Sequence, residues 1–216
     1  HLKDAKPRVI LFDTLMGKGA PFLETREKNH FIRVDPPEWT LAIETLRAEG
    51  LNEAADILAG AIMLALRLPK ALVTAVDLSP AALAVARANA LRHGANVRFL
   101  AGDWYQPLGA ERFDLIVANP PYIADGDPHL AQDGLPFEPQ TALTDGVAGG
   151  DGMACIDAIV AGARDHLLPG GWLLIEHGYD QAVKVRESIA AAGFCEVAAW
   201  RDESSIARVS GGRNPP

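Results

Sequence analysis

From Ala71 onward, short apolar runs alternate with stretches of helical periodicity, and this alternation constrains the fold more than any other feature of the sequence. Strands separated by helices form βαβ units, which build a mostly parallel sheet. We therefore predict an α/β fold with a doubly wound sheet and an antiparallel hairpin at its C-terminal end. The predicted strands are 71–77, 97–103, 113–119 and 170–178, the helices are 79–94, 153–167 and 180–193, and the hairpin strands are 195–202 and 206–213.

The first 70 residues show a weaker pattern. Residues 8–12 and 31–34 are candidate strands, and residues 38–50 read as a helix. Residues 52–69 fit two alternatives, either one amphipathic helix or a short strand, a turn at Gly60 and then a helix.

Composition excludes several classes of protein. Apolar residues make up 49 % of the chain and charged residues 22 %, and no apolar run approaches the ~20 residues that cross a bilayer, so we expect no membrane association. The two cysteines, Cys155 and Cys195, lack CxxC spacing and fit a reducing cytoplasm. No two histidines stand three to five residues apart, so we expect no metal site. The net charge of −8 makes nucleic acid a poor direct partner.

Acidic residues stand at the ends of two predicted strands, where sheets of this type bind ligands. Asp77 ends the first of these strands, and an acid at such a position accepts hydrogen bonds from the two ribose hydroxyls of a nucleotide. Asp103 and Trp104 follow the next strand. A carboxylate beside an indole suits an adenine, because the acid accepts from the amino group and the ring packs on the base. Alternatively, all three are ordinary turn residues.

The third strand ends in Asn119-Pro120-Pro121-Tyr122, which suits a rigid clamp for a planar NH₂ group. A conjugated nitrogen is a poor nucleophile, and a site assists it by accepting both N–H bonds with an Asn side-chain oxygen and a backbone carbonyl. Proline fixes φ, donates no N–H and restrains the residue before it, so the pair stiffens the loop. Tyr122 can stack on the flat substrate group. A simple proline-rich turn is the alternative.

These residues resemble a known family. The Asn-Pro-Pro-Tyr signature, together with "FEPQTALT", "GGDGM", "PGGWLLIEHGYDQ" and "ARVSGGR", is similar to the HemK/PrmC family of S-adenosylmethionine-dependent glutamine N5-methyltransferases. The resemblance covers about residues 71–213. It implies the Rossmann-like methyltransferase fold, S-adenosyl-L-methionine as donor, class I peptide-chain release factors as partners, and the glutamine of their Gly-Gly-Gln tripeptide as substrate. It also implies that Asp77 holds the ribose, that Trp104 lies along the adenine, and that Asn119 is close to the donor.

Two regions depart from the family pattern. The family's glycine-rich donor loop corresponds to residues 56–62, where Gly60 is the single glycine and the loop is about two residues short. Residues 12–20 carry glycines at matching offsets from Asp13, but we expect them to lie too far upstream of Asp77 to serve the same sheet. We predict a methyltransferase domain over 51–216. Residues 1–50 are a separate N-terminal segment and a candidate for partner binding.

Three functions fit these residues. The resemblance favours a glutamine methyltransferase acting on release factors in the cytoplasm. The same clamp fits an exocyclic amine, as in an N6-adenine methyltransferase on RNA or DNA, although the acidic charge disfavours such a substrate. A non-catalytic binding module that has lost its donor loop is the third hypothesis, and a donor titration separates it from both enzymes.

Overall fold

The computed structural model of the chain describes residues 6–13, 59–131, 143–202 and 204–216. These residues form a seven-stranded sheet in the order β3-β2-β1-β4-β5-β7-β6. Strands β1 to β5 are mutually parallel, and β7 lies antiparallel between β5 and β6. The strands are β1 Arg8–Asp13, β2 Leu72–Asp77, β3 Val97–Ala101, β4 Phe113–Asn119, β5 Leu167–Glu176, β6 Cys195–Arg201 and β7 Ala207–Arg213.

This architecture confirms the predicted α/β class, the mostly parallel sheet and the C-terminal antiparallel pair. The helices of the described residues are α1 Ala59–Arg67, α2 Pro80–His93, α3 Ala154–Ala163 and α4 Ala182–Ala191. None of the helices in this part of the chain is long and apolar enough to cross a membrane.

Helix α2 begins and ends where its sequence predicts. The Ser79 hydroxyl accepts from the Ala82 amide at 3.2 Å, and Pro80 fills the first helical position, where its missing N–H costs nothing. Gly94 closes the helix with φ +68°, a left-handed conformation that glycine adopts without penalty.

The sheet separates two apolar layers. Ile10 and Phe12 of β1 face a core shared with β4, β5, α3 and α4, whereas Leu11 faces a second core with α1 and α2. The alternation follows from the two-residue period of a strand. Ile10 and Phe12 are fully buried, and burying a side chain of this size stabilises the fold by about 1.5–3 kcal/mol. Strand β1 therefore anchors both faces of the sheet.

The N-terminal part of the chain differs from the sequence prediction. We placed residues 1–50 outside the domain, and we expected residues 12–20, of which 14–20 lie outside the described residues, to lie too far upstream of Asp77 to share its sheet. Instead, β1 lies in the centre of the sheet, between β2 and β4. The candidate strand at 8–12 is therefore confirmed, whereas its central place in the sheet was missed, because pairing between strands distant in sequence leaves no local signal. The predicted elements at 31–34 and 38–50 lie outside the described residues.

Three further features of the helices and strands differ from the sequence prediction. Gly60 lies in the first turn of α1, not in a turn before the helix, and 52–58 lie outside the described residues. Helix α3 ends at Ala163 and continues as one 3₁₀ turn, Arg164–His166. Strand β5 then begins at Leu167, three residues earlier than predicted.

Candidate functional site

The carboxyl ends of the parallel strands bring the predicted site residues to one edge of the sheet. Phe12 of β1 pairs with Val76 on one side and with Ala118 on the other, so the residues that follow them share that edge. Asp13 is directly paired with Asn119. Ligands of doubly wound sheets bind at this edge, in the crevice outside the strand ends.

Asp77 occupies the end of β2 with an unsatisfied carboxylate oxygen. The side chain is 5 % exposed, and its Oδ1 accepts from the Ser79 amide at 2.6 Å. Its Oδ2 is buried and has no hydrogen-bond partner among the described residues. Burial raises the pKa of this carboxyl, and the Ser79 amide opposes that rise. A buried acceptor left open in this way suits a ligand that brings hydroxyl donors.

The Asp103-Trp104 turn follows β3 and is tied to the end of β2. The Gly102 amide donates to the Asp77 carbonyl at 3.2 Å, so the turn starts beside the open carboxylate. Asp103 is exposed, and Trp104 is half-buried with φ +39°. A tryptophan in this left-handed region carries backbone strain, which occurs preferentially at ligand sites.

Tyr105 was not predicted as a site residue, and its contacts anchor the turn that contains Trp104. Its hydroxyl donates to the Ile159 carbonyl at 2.8 Å, and its ring stacks on His166 with centroids 4.6 Å apart. The ring of Phe12 makes T-shaped contacts with both aromatic rings, with centroids 4.8 Å apart for Tyr105 and 5.8 Å apart for Trp104. Tyr105 therefore connects the turn to helix α3 and to the central strand. The aromatic pair in "DWY" is the signal that could have identified it.

The Asn119-Pro120-Pro121-Tyr122 loop leaves β4 at this edge. Asn119 is half-buried and its side-chain oxygen is buried. Pro120, Pro121 and Tyr122 are all buried, so the loop is packed on the sheet. The Ile123 amide then donates to the Leu143 carbonyl at 2.9 Å, which anchors the exit of the loop.

The Tyr122 ring belongs to the main core, and its exposed fraction is 7 %. Its hydroxyl donates to Oε1 of Glu176, at the end of β5, over 3.4 Å. Burial and the negative charge of Glu176 raise the pKa of this phenol. Stacking of Tyr122 on a substrate group stays a prediction. The observed burial gives the ring a second role, which is to hold the loop against β5.

Gln181 and Gly152, also missed by sequence analysis, hold the Tyr122 carbonyl. Gln181 Nε2 donates at 2.9 Å both to this carbonyl and to that of Asp151. Gly152 has φ +76°, and a Cβ at that position would clash with the Tyr122 carbonyl oxygen. Only glycine permits so close an approach. Both residues belong to motifs noted in the sequence, "GGDGM" and "EHGYDQ".

Gly60 lies in a helix and not in a loop. It stands in the first turn of α1, with its Cα facing Leu11 of β1, because a Cβ there would come within 3.3 Å of Leu11 Cδ1. The glycine thus allows α1 to pack closely on the central strand. Its predicted contact with a donor stays a prediction. Residues 59–62 of the predicted loop are helical instead, and 56–58 lie outside the described residues.

Comparisons with known proteins show which sequences and folds this chain resembles. The methyltransferase small domain matches residues 34–133. The release factor glutamine methyltransferase of Bordetella pertussis is 48 % identical over 84 % of this chain and 69 % of its own length. The corresponding proteins of Xylella fastidiosa and Burkholderia pseudomallei are 46 % and 51 % identical, over 81 % and 72 % of this chain. The chain spans 64 % and 56 % of the length of those two relatives.

Solved structures show the same fold. A methyltransferase from Pyrococcus furiosus superposes with a TM-score of 0.53 at 19 % identity, covering 74 % of this chain and 71 % of its own. A protein from Agrobacterium tumefaciens, described as a predicted O-methyltransferase, gives 0.51 at 16 % identity and covers 98 % and 76 %. The fold is that of methyltransferases, and the close sequence relatives share one name. The chain therefore belongs to the family of release factor glutamine methyltransferases.

Proposed function

We propose that this chain transfers a methyl group from S-adenosylmethionine to the side-chain amide nitrogen of the glutamine in the Gly-Gly-Gln tripeptide of peptide-chain release factors. The observation that carries the proposal is the juxtaposition of two features at one edge of the sheet. One is the Asn119–Tyr122 loop at the end of β4, and the other is the buried, open carboxylate oxygen of Asp77 at the end of β2. The name shared by the sequence relatives supports the substrate.

The open oxygen of Asp77 fits a ribose hydroxyl of the donor. The half-buried Trp104 ring fits the adenine face, and exposed Asp103 can accept from its amino group. The backbone at the end of β1, around Asp13, and the first turn of α1 with Gly60 are the candidates for the methionine end of the donor. When bound, the donor supplies an electrophilic methyl group on a sulfonium.

The residues of the clamp orient the glutamine. Asn119 Oδ1 and a neighbouring loop carbonyl accept from the two amide N–H bonds, so the π face of the nitrogen is presented for attack. Pro120 and Pro121 keep those acceptors in place before the substrate arrives, because their φ angles are fixed. Preorganised acceptors of this kind stabilise the positive character that the nitrogen gains during the transfer. The amide loses its extra proton readily afterwards, so the chain needs no general base.

The partner and the compartment follow from the substrate. Release factors act in translation, so we place the protein in the cytoplasm. Both cysteines are free, which fits a reducing compartment. The net charge of −8 favours a protein partner over direct contact with a nucleic-acid backbone.

A competition between substrates tests the proposal. The purified chain is incubated with methyl-labelled donor and an equimolar mixture of a release factor and adenine-containing RNA and DNA. We expect label in the release factor and none in the nucleic acid. Label in the nucleic acid alone would move the chain to the base-amine class. No transfer, combined with a measurable donor affinity, would make it a binding module.

A further inference from the structure

We infer that Gln181 is a positioning residue for methyl transfer, because it fixes the Tyr122 carbonyl and with it the Asn119–Tyr122 clamp. The inference rests on the proposed function for its catalytic consequence. Its structural part, the position of the loop, is independent of the substrate.

The hydrogen bonds of Gln181 connect three separate segments. Its Oε1 accepts from the Gly178 amide at 2.8 Å, which fixes the side chain to the turn after β5. Its Nε2 donates at 2.9 Å to the carbonyls of Tyr122 and Asp151. The residue is 5 % exposed, so water does not substitute easily for these partners. One side chain thus joins the clamp, the 151–152 turn and the start of helix α4.

The position of Gln181 in the sequence makes these bonds unusual. It is the N-cap residue of α4, where side chains ordinarily bind the first amides of their own helix. Gln181 makes no such capping bond, and its amide group points to other segments instead. Gln181 therefore stabilises the loops around the clamp and does not cap its own helix.

The clamp needs an anchor of this kind because of its prolines. Pro120 and Pro121 carry no N–H, so backbone hydrogen bonds to these two residues can be made only through their carbonyls, and the neighbouring Tyr122 carbonyl is a natural place to fix the loop. The Tyr122 carbonyl is held by Gln181, and Gly152 presses against the same oxygen from the 151–152 turn. A second anchor follows at once, where the Ile123 amide donates to Leu143. Release of the first anchor allows the carbonyl of Tyr122, and the loop before it, to rotate.

Gln181→Met tests the inference, because it keeps the length of the side chain and removes its polar atoms. We expect the single-turnover rate at saturating release factor and donor to fall by about tenfold to a hundredfold, the effect of a small misplacement of reacting groups. The rate is divided by the concentration of donor-binding sites, so that a smaller folded fraction of the variant does not lower the measured rate. The donor affinity and the KM for the release factor should change by less than about threefold, because no contact with either is removed.

Gln181→Glu is the second variant, for the case in which Gln181→Met does not fold. It keeps an acceptor for the Gly178 amide and replaces the Nε2 donor, so it should reproduce the loss of rate. Gln106→Met is the matched control, since Gln106 is exposed and lies on the 3₁₀ turn Gln106–Leu108. The control should retain the wild-type rate.

Amide hydrogen exchange separates this inference from the proposed function. We expect the Ile123 amide, which donates to the Leu143 carbonyl, to exchange at least about tenfold faster in Gln181→Met than in the wild type, because the loop opens locally. Unchanged exchange at this amide, or a wild-type rate per donor-binding site in both Gln181 variants, would overturn the inference. A wild-type protein that methylates no release factor would refute the proposed function alone, and the exchange result would still decide whether Gln181 holds the loop.

Discussion

The Ser79 amide donates to Oδ1 of Asp77 at 2.6 Å, and this bond holds the carboxylate with its Oδ2 buried and open in the described structure. The arrangement resembles a binding site built in advance of its ligand. It costs stability in the free protein, because a buried acceptor without a partner is unfavourable. A ligand that donates hydrogen bonds to Oδ2 offsets this loss of stability. The variants Asp77→Ala and Asp77→Asn separate the effect on ligand affinity from the effect on stability.

Asp77→Ala should weaken the binding of S-adenosylmethionine by more than about tenfold. A charge-assisted hydrogen bond contributes about 1.5–3 kcal/mol, and the substitution removes the acceptor for the ribose hydroxyls. Isothermal titration calorimetry measures the change, and Asp165→Ala, which truncates an exposed carboxylate elsewhere, is the control. An unchanged affinity in Asp77→Ala would place the donor at another part of the chain.

Asp77→Asn should stabilise the ligand-free protein near neutral pH. Burial raises the pKa of Asp77 above its ordinary value of 3.8, so the folded state binds its proton more tightly than the unfolded state. Stability then falls as the pH rises from 3.8 through the raised pKa, and the full cost is present once the pH exceeds that raised pKa. Asparagine keeps the acceptor for the Ser79 amide without the charge.

Urea unfolding at several pH values measures this effect. The free energy of unfolding of Asp77→Asn should exceed that of the wild type at pH 7.5, and the difference should shrink as the pH falls toward 4. A difference that is independent of pH would show that the charge of Asp77 is not the cause. Donor affinity should fall in the same variant, so stability and function move in opposite directions.

Asn119→Ala should lower the rate of methyl transfer by roughly 10²–10³ with little change in donor affinity. The substitution removes one preorganised acceptor whose bond strengthens as the nitrogen becomes positive. Single-turnover measurements at saturating donor report this step directly. Asn96→Ala, at an exposed position before β3, provides the control. If Asn119→Ala transfers methyl groups at close to the wild-type rate, the clamp mechanism is wrong.

The Tyr122 variants separate the ring from its hydroxyl. Tyr122→Phe keeps the buried ring and loses only the 3.4 Å bond to Glu176, so we expect a cost of about 1 kcal/mol and a mild loss of rate. Tyr122→Ala opens a cavity in the core and should cost about 3–5 kcal/mol of stability, with severe loss of transfer. Tyr179→Ala, at a side chain that is 63 % exposed, is the control. Equal rates in Tyr122→Phe and Tyr122→Ala would show that the ring does not position the loop.

Local signals in the sequence were sufficient to predict most of the sheet and the positions of two candidate site residues at the ends of its strands. Helix α2 was predicted to its caps, since Ser79, Pro80 and Gly94 each act within their own turn. The positions of Asp77 and Asn119 were predicted because each residue ends an apolar run, and parallel strands bring such ends to one edge of the sheet. In these cases the decisive interactions lie within a few residues of sequence.

The parts that were missed depend on contacts between distant segments. Strand β1 joins the sheet through pairing with β2 and β4, about 60 and 100 residues away, and no pattern within Arg8–Asp13 specifies those partners. Tyr105 and Gln181 act through the carbonyls of Ile159 and Tyr122, which only the folded chain brings within reach. The position of Gln181 before a helix does not indicate that its side chain binds the carbonyl of a distant loop.

The most direct test of the account is the location of the transferred methyl group. A release factor is incubated with this chain and S-adenosylmethionine, and the product is digested and mapped by tandem mass spectrometry. A release factor with Gln→Asn in its Gly-Gly-Gln tripeptide is treated in parallel. We expect one added methyl group on the side-chain amide of that glutamine, and none in the Asn substrate. A methyl group on any other residue, or equal methylation of both substrates, would contradict it.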